Sequence, residues 1–166
     1  GRAKHLQRIE RMSRIRQNAL KDIKSISKKE LWLAGIMLYW AEGTKEKEIH
    51  PGSGINFNNS DPRMIKVFVK WLTKSCRVSR ERIKFEIYIH ENSVNDTEKV
   101  KKFWSETTGF ALDKFSKVYY KTNKIKTVRK NTGDLYYGLL RVRVSASSTL
   151  VRKIAGWTEA IVEKIK

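Results

Sequence analysis

The run Leu33-Ala34-Gly35-Ile36-Met37-Leu38-Tyr39-Trp40-Ala41-Glu42-Gly43 reads as an apolar helix that ends on a lone carboxylate and a glycine. A packed helix that delivers an acid to its own end can place a metal. The plainer reading is a buried helix closed by an ordinary Glu-Gly end. Ala34 and Ala41 lie seven residues apart with Leu38 between them, a narrow stripe that lets a second helix approach closely. Gly43 is expected to turn the chain out of the helix through the conformational freedom of glycine. One carboxylate per chain cannot hold a two-metal site unaided. Metal-dependent phosphodiester chemistry at Glu42 therefore requires two chains docked through this helix, and so a homodimer.

A second constellation comes from alternation in the strands. Ile55 and Phe57 are opposed to Asn56 and Asn58. Ile83, Phe85, Ile87 and Ile89 are opposed to Lys84, Glu86, Tyr88 and His90, and Leu140, Val142 and Val144 to Arg141 and Arg143. The polar set forms one open sheet face. Arg141 and Arg143 suit guanine and Asn56 and Asn58 suit adenine, while lysines and arginines neutralise phosphate. Lys124, Lys126, Arg129 and Lys130, in the polar stretch 122–134, add a phosphate-binding loop. The plainer reading is the solvated face of any half-buried sheet.

Composition weighs on the choice. Lys and Arg number 36 against 17 Asp and Glu, a net charge of +19 over 166 residues. Self-repulsion of that size points to a polyanionic partner, and double-stranded DNA leads. No apolar run approaches the roughly 20 residues of a membrane span, and the basic, polar N-terminus is unlike a signal peptide. Cys76 is the single cysteine, which excludes an intrachain disulfide and a Cys-rich zinc site and suggests a reducing, cytoplasmic setting. A chain that opens on Gly1 rather than Met reads as an artificial boundary or a shortened longer protein. There is no glycine-rich phosphate loop, no nucleophile elbow and no His-Glu-His metal helix, and His5, His50 and His90 are scattered. Nothing suggests a small-molecule substrate. An RNA-binding sheet is disfavoured because no aromatic pair stands out as a base-stacking platform.

The elements that must position these residues follow from periodicity and caps. Residues 1–29 form a basic helical extension with Leu6, Ile9, Met12, Ile15, Ala19, Ile23 and Ile26 at steps of three or four. This extension packs on the main domain, lies along phosphates or is simply solvated. Ser27 and Glu30 make a capping box for the apolar helix. Pro51-Gly52-Ser53-Gly54 turns between two short strands. Asp61-Pro62 starts a helix that buries Ile65, Phe68, Val69 and Leu72. Asn95 or Asp96 caps the next, presenting Val100, Phe103, Trp104 and Thr107 before Gly109 stops it. Strands are expected over 83–90, 114–121 and 135–145. Ser147 or Ser148 caps a last helix with a stripe of Leu150, Ile154, Trp157, Ile161 and Ile165. The fold class is α+β, with residues 30–166 forming the main domain and an antiparallel sheet covered by helices on one face.

Leu38-Tyr39-Trp40-Ala41-Glu42-Gly43 resembles the tail of the LAGLIDADG motif, with Ala41-Glu42-Gly43 in place of Ala-Asp-Gly. The order of helix, strand pair, helix, strand pair, helix over about 30–166 is also similar to single-motif members of the LAGLIDADG homing endonuclease family. Ile55 to Met64 and Thr127 to Asp134 resemble a bacterial stand-alone branch. The resemblance implies an antiparallel, saddle-shaped sheet over DNA and a homodimer joined through Ala34, Met37, Leu38 and Ala41. It also implies that Glu42 is the catalytic acid and ligand of Mg²⁺ or another divalent cation. Met37 stands where the motif has glycine, and Trp40 replaces its first acid. Two functions follow from the resemblance: a metal-dependent DNA endonuclease, or a non-catalytic transcription regulator with the same fold.

Overall fold

A computed structural model of the chain describes residues 1–47, 49, 51–91, 96–122 and 136–165. Lys124, Lys126, Arg129 and Lys130 lie outside the described residues, as do His50 and Asn95. The elements run α1 (Arg2–Ala19), α2 (Lys28–Glu42), β1 (Asn56–Asn59), α3 (Pro62–Lys74), β2 (Ile83–His90), α4 (Thr97–Thr108), β3 (Val118–Lys121), β4 (Leu139–Val144) and α5 (Ser148–Lys164).

Helix α2 starts where its caps dictate. Glu30 N donates to Ser27 Oγ (3.2 Å) and Ser27 N donates to Glu30 Oε2 (2.6 Å), so two amides without helical partners are satisfied reciprocally. These hydrogen bonds hold the Glu30 carboxyl below its ordinary range. The helix buries Gly35, Ile36 and Tyr39 and packs on α3 and α5. At Gly35 the fit is against the Trp71 indole of α3, where a Cβ would overlap the ring, and Trp71 Nε1 donates to Trp32 O (3.1 Å). Helix α3 begins at Asp61, whose carboxylate accepts from Arg63 N (2.8 Å), with Pro62 at its first position. It turns Ile65, Phe68, Val69, Trp71 and Leu72 inward. Phe68 stacks on Phe57 of β1 (centroids 4.2 Å) and on Tyr39 of α2 (5.9 Å), tying both helices to the sheet.

Four strands form one sheet among the described residues, in the order β1-β4-β2-β3. Strand β4 pairs antiparallel with β1 on one side and with β2 on the other. Strand β3 pairs parallel with β2, so the sheet is mixed and the expectation of an antiparallel sheet is corrected. The reason is the crossover: α4 lies between β2 and β3, and a connection of that length and kind returns a strand in the same direction. Phe57, Ile83, Phe85, Ile87, Ile89, Leu140, Val142 and Val144 point from the sheet into the core, where they meet Val100 and Trp104 of α4 and Val151 and Ile154 of α5. The helices cover this face and leave the opposite one open.

Other local expectations are revised as well. Gly43 is extended (φ −79°, ψ 157°) rather than left-handed. What demands glycine there is space, because a Cβ would collide with the Tyr39 ring and carbonyl. Of the strand expected before Pro51, the described residues show an isolated bridge, Gly43 to Phe57. Of the strand expected over 135–145, β4 takes Leu139–Val144, and residues 136–138 lead into it without strand pairing. Ser147 occupies the N-cap position of α5 without capping it. Its buried hydroxyl instead accepts from Ile55 N (2.7 Å) and donates to Val144 O (2.7 Å), fastening β1 to the end of β4. Helix α1 forms as periodicity predicts, yet none of its residues is buried and Leu6, Ile9, Met12 and Ile15 are exposed. No helix among the described residues is long and apolar enough to cross a membrane.

Candidate nucleic-acid interface

Register places the polar side chains of the open face in rows across the strands. Asn56 of β1, Arg143 of β4 and Lys84 of β2 are direct neighbours and make the first row. Asn58, Arg141 and Glu86 make the second. Leu139, Tyr88 and Tyr119 make the third, and His90 with Lys121 of β3 closes the face. Every strand residue expected on this face from alternation is therefore brought together there. Successive rows are about 6.8 Å apart, two residues along a strand.

Glu86 occupies the middle of this basic surface, and it is only 4% exposed. Its Oε1 accepts from Arg143 Nη1 (3.1 Å), and its Oε2 from Arg141 Nη1 (3.3 Å) and Tyr88 Oη (3.2 Å). Burial by itself pushes the Glu86 carboxyl up. The hydrogen bonds from Arg143 and Tyr88 and the charges of both arginines outweigh that and hold it below its ordinary value. Burial raises the Tyr88 hydroxyl, which keeps it a donor. Arg141 is bound further: its Nε donates to Asn58 Oδ1 (2.8 Å), its Nη1 to Tyr88 Oη (2.5 Å), and its guanidinium lies 4.5 Å from the Tyr88 ring centroid. Arg143 gives a single Nη1 to the network, and its side chain is 55% exposed against 31% for Arg141.

Residues outside the expected set complete the face. Tyr119 and Lys121 join it through the parallel register of β3, and Tyr119 stacks on Tyr88 (centroids 4.9 Å, 18° between planes). Lys121 Nζ lies 5.2 Å from the same ring. No sequence signal announced these two, because 114–121 alternates poorly and only the crossover sets their side. Glu86 was legible on the face by alternation, but its role as the centre of the network was not. His90 lies beside Tyr136 (ring centroids 6.1 Å). Asn56 Oδ1 is buried with no hydrogen-bond partner among the described residues.

The end of α2 is wired to the β1 edge of this sheet. Gly43 bridges to Phe57, Thr44 N donates to Asn56 O (2.9 Å), and Tyr39 Oη donates to Thr44 O (2.6 Å). Glu42, the last residue of α2, is exposed just before that junction. Ala34, Met37 and Ala41 are exposed along the outward side of α2, and Leu38 is half-buried beside them. Among the described residues no group of three or more His, Cys, Asp or Glu side chains lies close enough to hold a metal. Glu42 therefore belongs to no such group. On one chain it fits a divalent cation only if other ligands come from elsewhere. Compared with models of protein families, with curated proteins and with solved structures, the chain matches none of them.

Proposed function

We propose that the chain binds double-stranded DNA in a sequence-dependent way through the open face of its sheet, as a homodimer joined through α2. The observation that carries this reading is the set of cross-strand rows, which present Arg143, Arg141, Lys84 and Lys121 beside Asn56, Asn58 and Tyr88 on one uncovered surface. A major groove about 12 Å wide admits a two-stranded ribbon, and β4 and β2 form an antiparallel pair at the centre of the sheet. The net charge of +19 supplies the attraction to phosphate.

A duplex suits the surface better than an unpaired strand. Base stacking on a sheet needs aromatic rings that turn a free face outward. The faces of Tyr88 are turned instead to Tyr119 and Arg141, at 4.9 and 4.5 Å, and Tyr119, though 45% exposed, has one face taken by Tyr88. The homodimer is supported by the apolar side of α2 at Ala34, Met37 and Ala41, which is exposed and which no other described residue covers. The order α2, β1, α3, β2, β4, α5 supports a LAGLIDADG-like arrangement in which α4 and β3 are an insertion between β2 and β4.

Glu42 supports a second step on the same scaffold, metal-dependent cleavage, because it is an exposed acid beside the junction of α2 with the sheet edge. Each chain of the dimer contributes one Glu42, and Mg²⁺ held there would supply Lewis-acid chemistry at phosphate. The test begins with selection of bound duplexes from a random pool, with binding measured across salt concentrations. A nearly palindromic selected site and a steep salt slope are expected. Incubating the selected duplex with Mg²⁺ or Mn²⁺ then separates nuclease from regulator. Failure to select any duplex refutes the proposal.

A further inference from the structure

We infer that Glu86 divides the labour of the two arginines on the open face, fixing Arg141 as a strut and holding Arg143 out as the side chain that reads a base. The inference rests on the reading of that face as the DNA interface and goes beyond it by assigning unequal roles to residues that alternation alone makes equivalent. An acid in the middle of a surface that meets phosphates is unfavourable unless its charge is consumed internally. That condition holds, since both Glu86 oxygens accept from cations or a hydroxyl of the same face and the residue is only 4% exposed.

The donor inventory decides which arginine is available. Recognition of guanine uses two parallel N–H groups of one guanidinium edge. Arg141 commits Nε to Asn58 and Nη1 to both Glu86 and Tyr88, so neither of its edges is free at both nitrogens. Arg143 commits Nη1 alone and keeps the edge formed by Nε and Nη2. Asn58 belongs to the strut as well, because the bond its Oδ1 accepts from Arg141 Nε turns its amide along the sheet toward that guanidinium. Arg143 and Lys84 of the first row are therefore the reading side chains, Asn56 having its Oδ1 buried, and the second row, Asn58-Arg141-Glu86, supports them from about 6.8 Å along the strands. A guanidinium held in place by a carboxylate loses less freedom on meeting its base, which is how Glu86 acts without touching DNA.

The test measures binding of the full chain to its selected duplex, to the same duplex with each base pair changed singly, and to a random-sequence duplex, with thermal melting alongside. Arg143→Met is expected to lower discrimination at one base pair per half-site by about 5- to 150-fold. Glu86→Gln should lower discrimination at that same base pair while affinity for the random duplex is unchanged or higher, since a negative charge leaves the surface. A merely structural Glu86 would weaken both duplexes in step with the loss of melting temperature, and that result overturns the inference. Arg141→Met should weaken all duplexes alike and leave every base preference intact. Should Glu86→Gln not fold, the two arginine variants still decide, because loss of a base preference in Arg141→Met, or none in Arg143→Met, refutes the division. A wild type without any sequence preference overturns this inference together with the proposed function. A wild-type preference that Glu86→Gln leaves untouched overturns the inference alone.

Discussion

Replacing Gly35 by alanine tests whether the monomer fold and the proposed dimer use opposite sides of α2. The added Cβ would overlap Cγ, Cδ1 and Cδ2 of the Trp71 indole, a side chain with no exposed surface. Restoring a carbon separation of about 3.5–4.0 Å requires the helix or the ring to move by more than about 1 Å, and Trp71 is wedged against Phe68 and bonded through Nε1 to Trp32 O. Overpacking of this kind costs about 3 kcal/mol at the upper end of its usual range. Loss of the indole hydrogen bond adds about 1 kcal/mol, and the better helix propensity of alanine offsets about 1 kcal/mol. A net loss of about 3 kcal/mol lowers the melting temperature of a domain this size by roughly 6–12 °C. Thermal and urea unfolding of Gly35→Ala beside Ala34→Leu is the assay. Ala34 is exposed, so its variant should unfold like wild type when the protein is dilute enough to be monomeric. A Gly35→Ala protein at least as stable as wild type would falsify the packing argument, for propensity alone predicts that outcome.

The other expectations are shorter. Ala41→Leu enlarges the outward side of α2 in both copies and should weaken self-association by about 1–3 kcal/mol or more, read by analytical ultracentrifugation; a wild type that stays monomeric even on DNA removes the dimer. Glu42→Gln should abolish any metal-dependent cutting of the selected duplex while binding persists or tightens, and equal cutting by the variant would remove Glu42 from the chemistry. The Asp61 carboxyl is held at about 2 by its hydrogen bonds with Arg63, below an ordinary 3.8. Its folded value is the lower one, so the stabilisation is complete above about pH 4 and is lost as pH falls through about 2. Asp61→Asn keeps a capping side chain and should flatten that part of the acid-unfolding profile, and an unchanged profile would show that the pair contributes nothing.

Features decided by near neighbours in the chain were legible. The Ser27–Glu30 box, the Asp61-Pro62 start, the Asp96 cap, the Gly109 stop and the strict alternation of 83–90 all appear where local chemistry places them. Features decided by distant partners were not. The direction of β3 depends on how α4 crosses the sheet, and with it the arrival of Tyr119 and Lys121 on the open face. Ser147 sits next to a helix start, as a capping serine does, but Ile55, far back in the chain, claims its hydroxyl. The seven strand residues named for DNA contact do share one face, as period two requires. Alternation assigns a side of the sheet and says nothing of who bonds to whom on it, so the unequal standing of Arg141 and Arg143 appears only in the side-chain geometry.

Helix α2 shows why an interface and a core can share one short helix. Neighbouring positions on a helix point about 100° apart. Gly35, Ile36 and Tyr39 thus face α3 and α5, while Ala34, Met37 and Ala41 face outward. The inward side is fixed by Trp71 at one end and at the other by Tyr39, whose hydroxyl holds Thr44 O while Gly43 and Thr44 join β1. Helix and sheet edge are therefore joined directly. In the proposed homodimer, a second copy seated on the outward side would set the distance between two β1 edges, and through them the spacing of the two half-sites. Loosening Gly35 or Tyr39 should then broaden the spacing a dimer accepts without changing the bases that either sheet prefers, whereas changes at Arg143 should do the reverse.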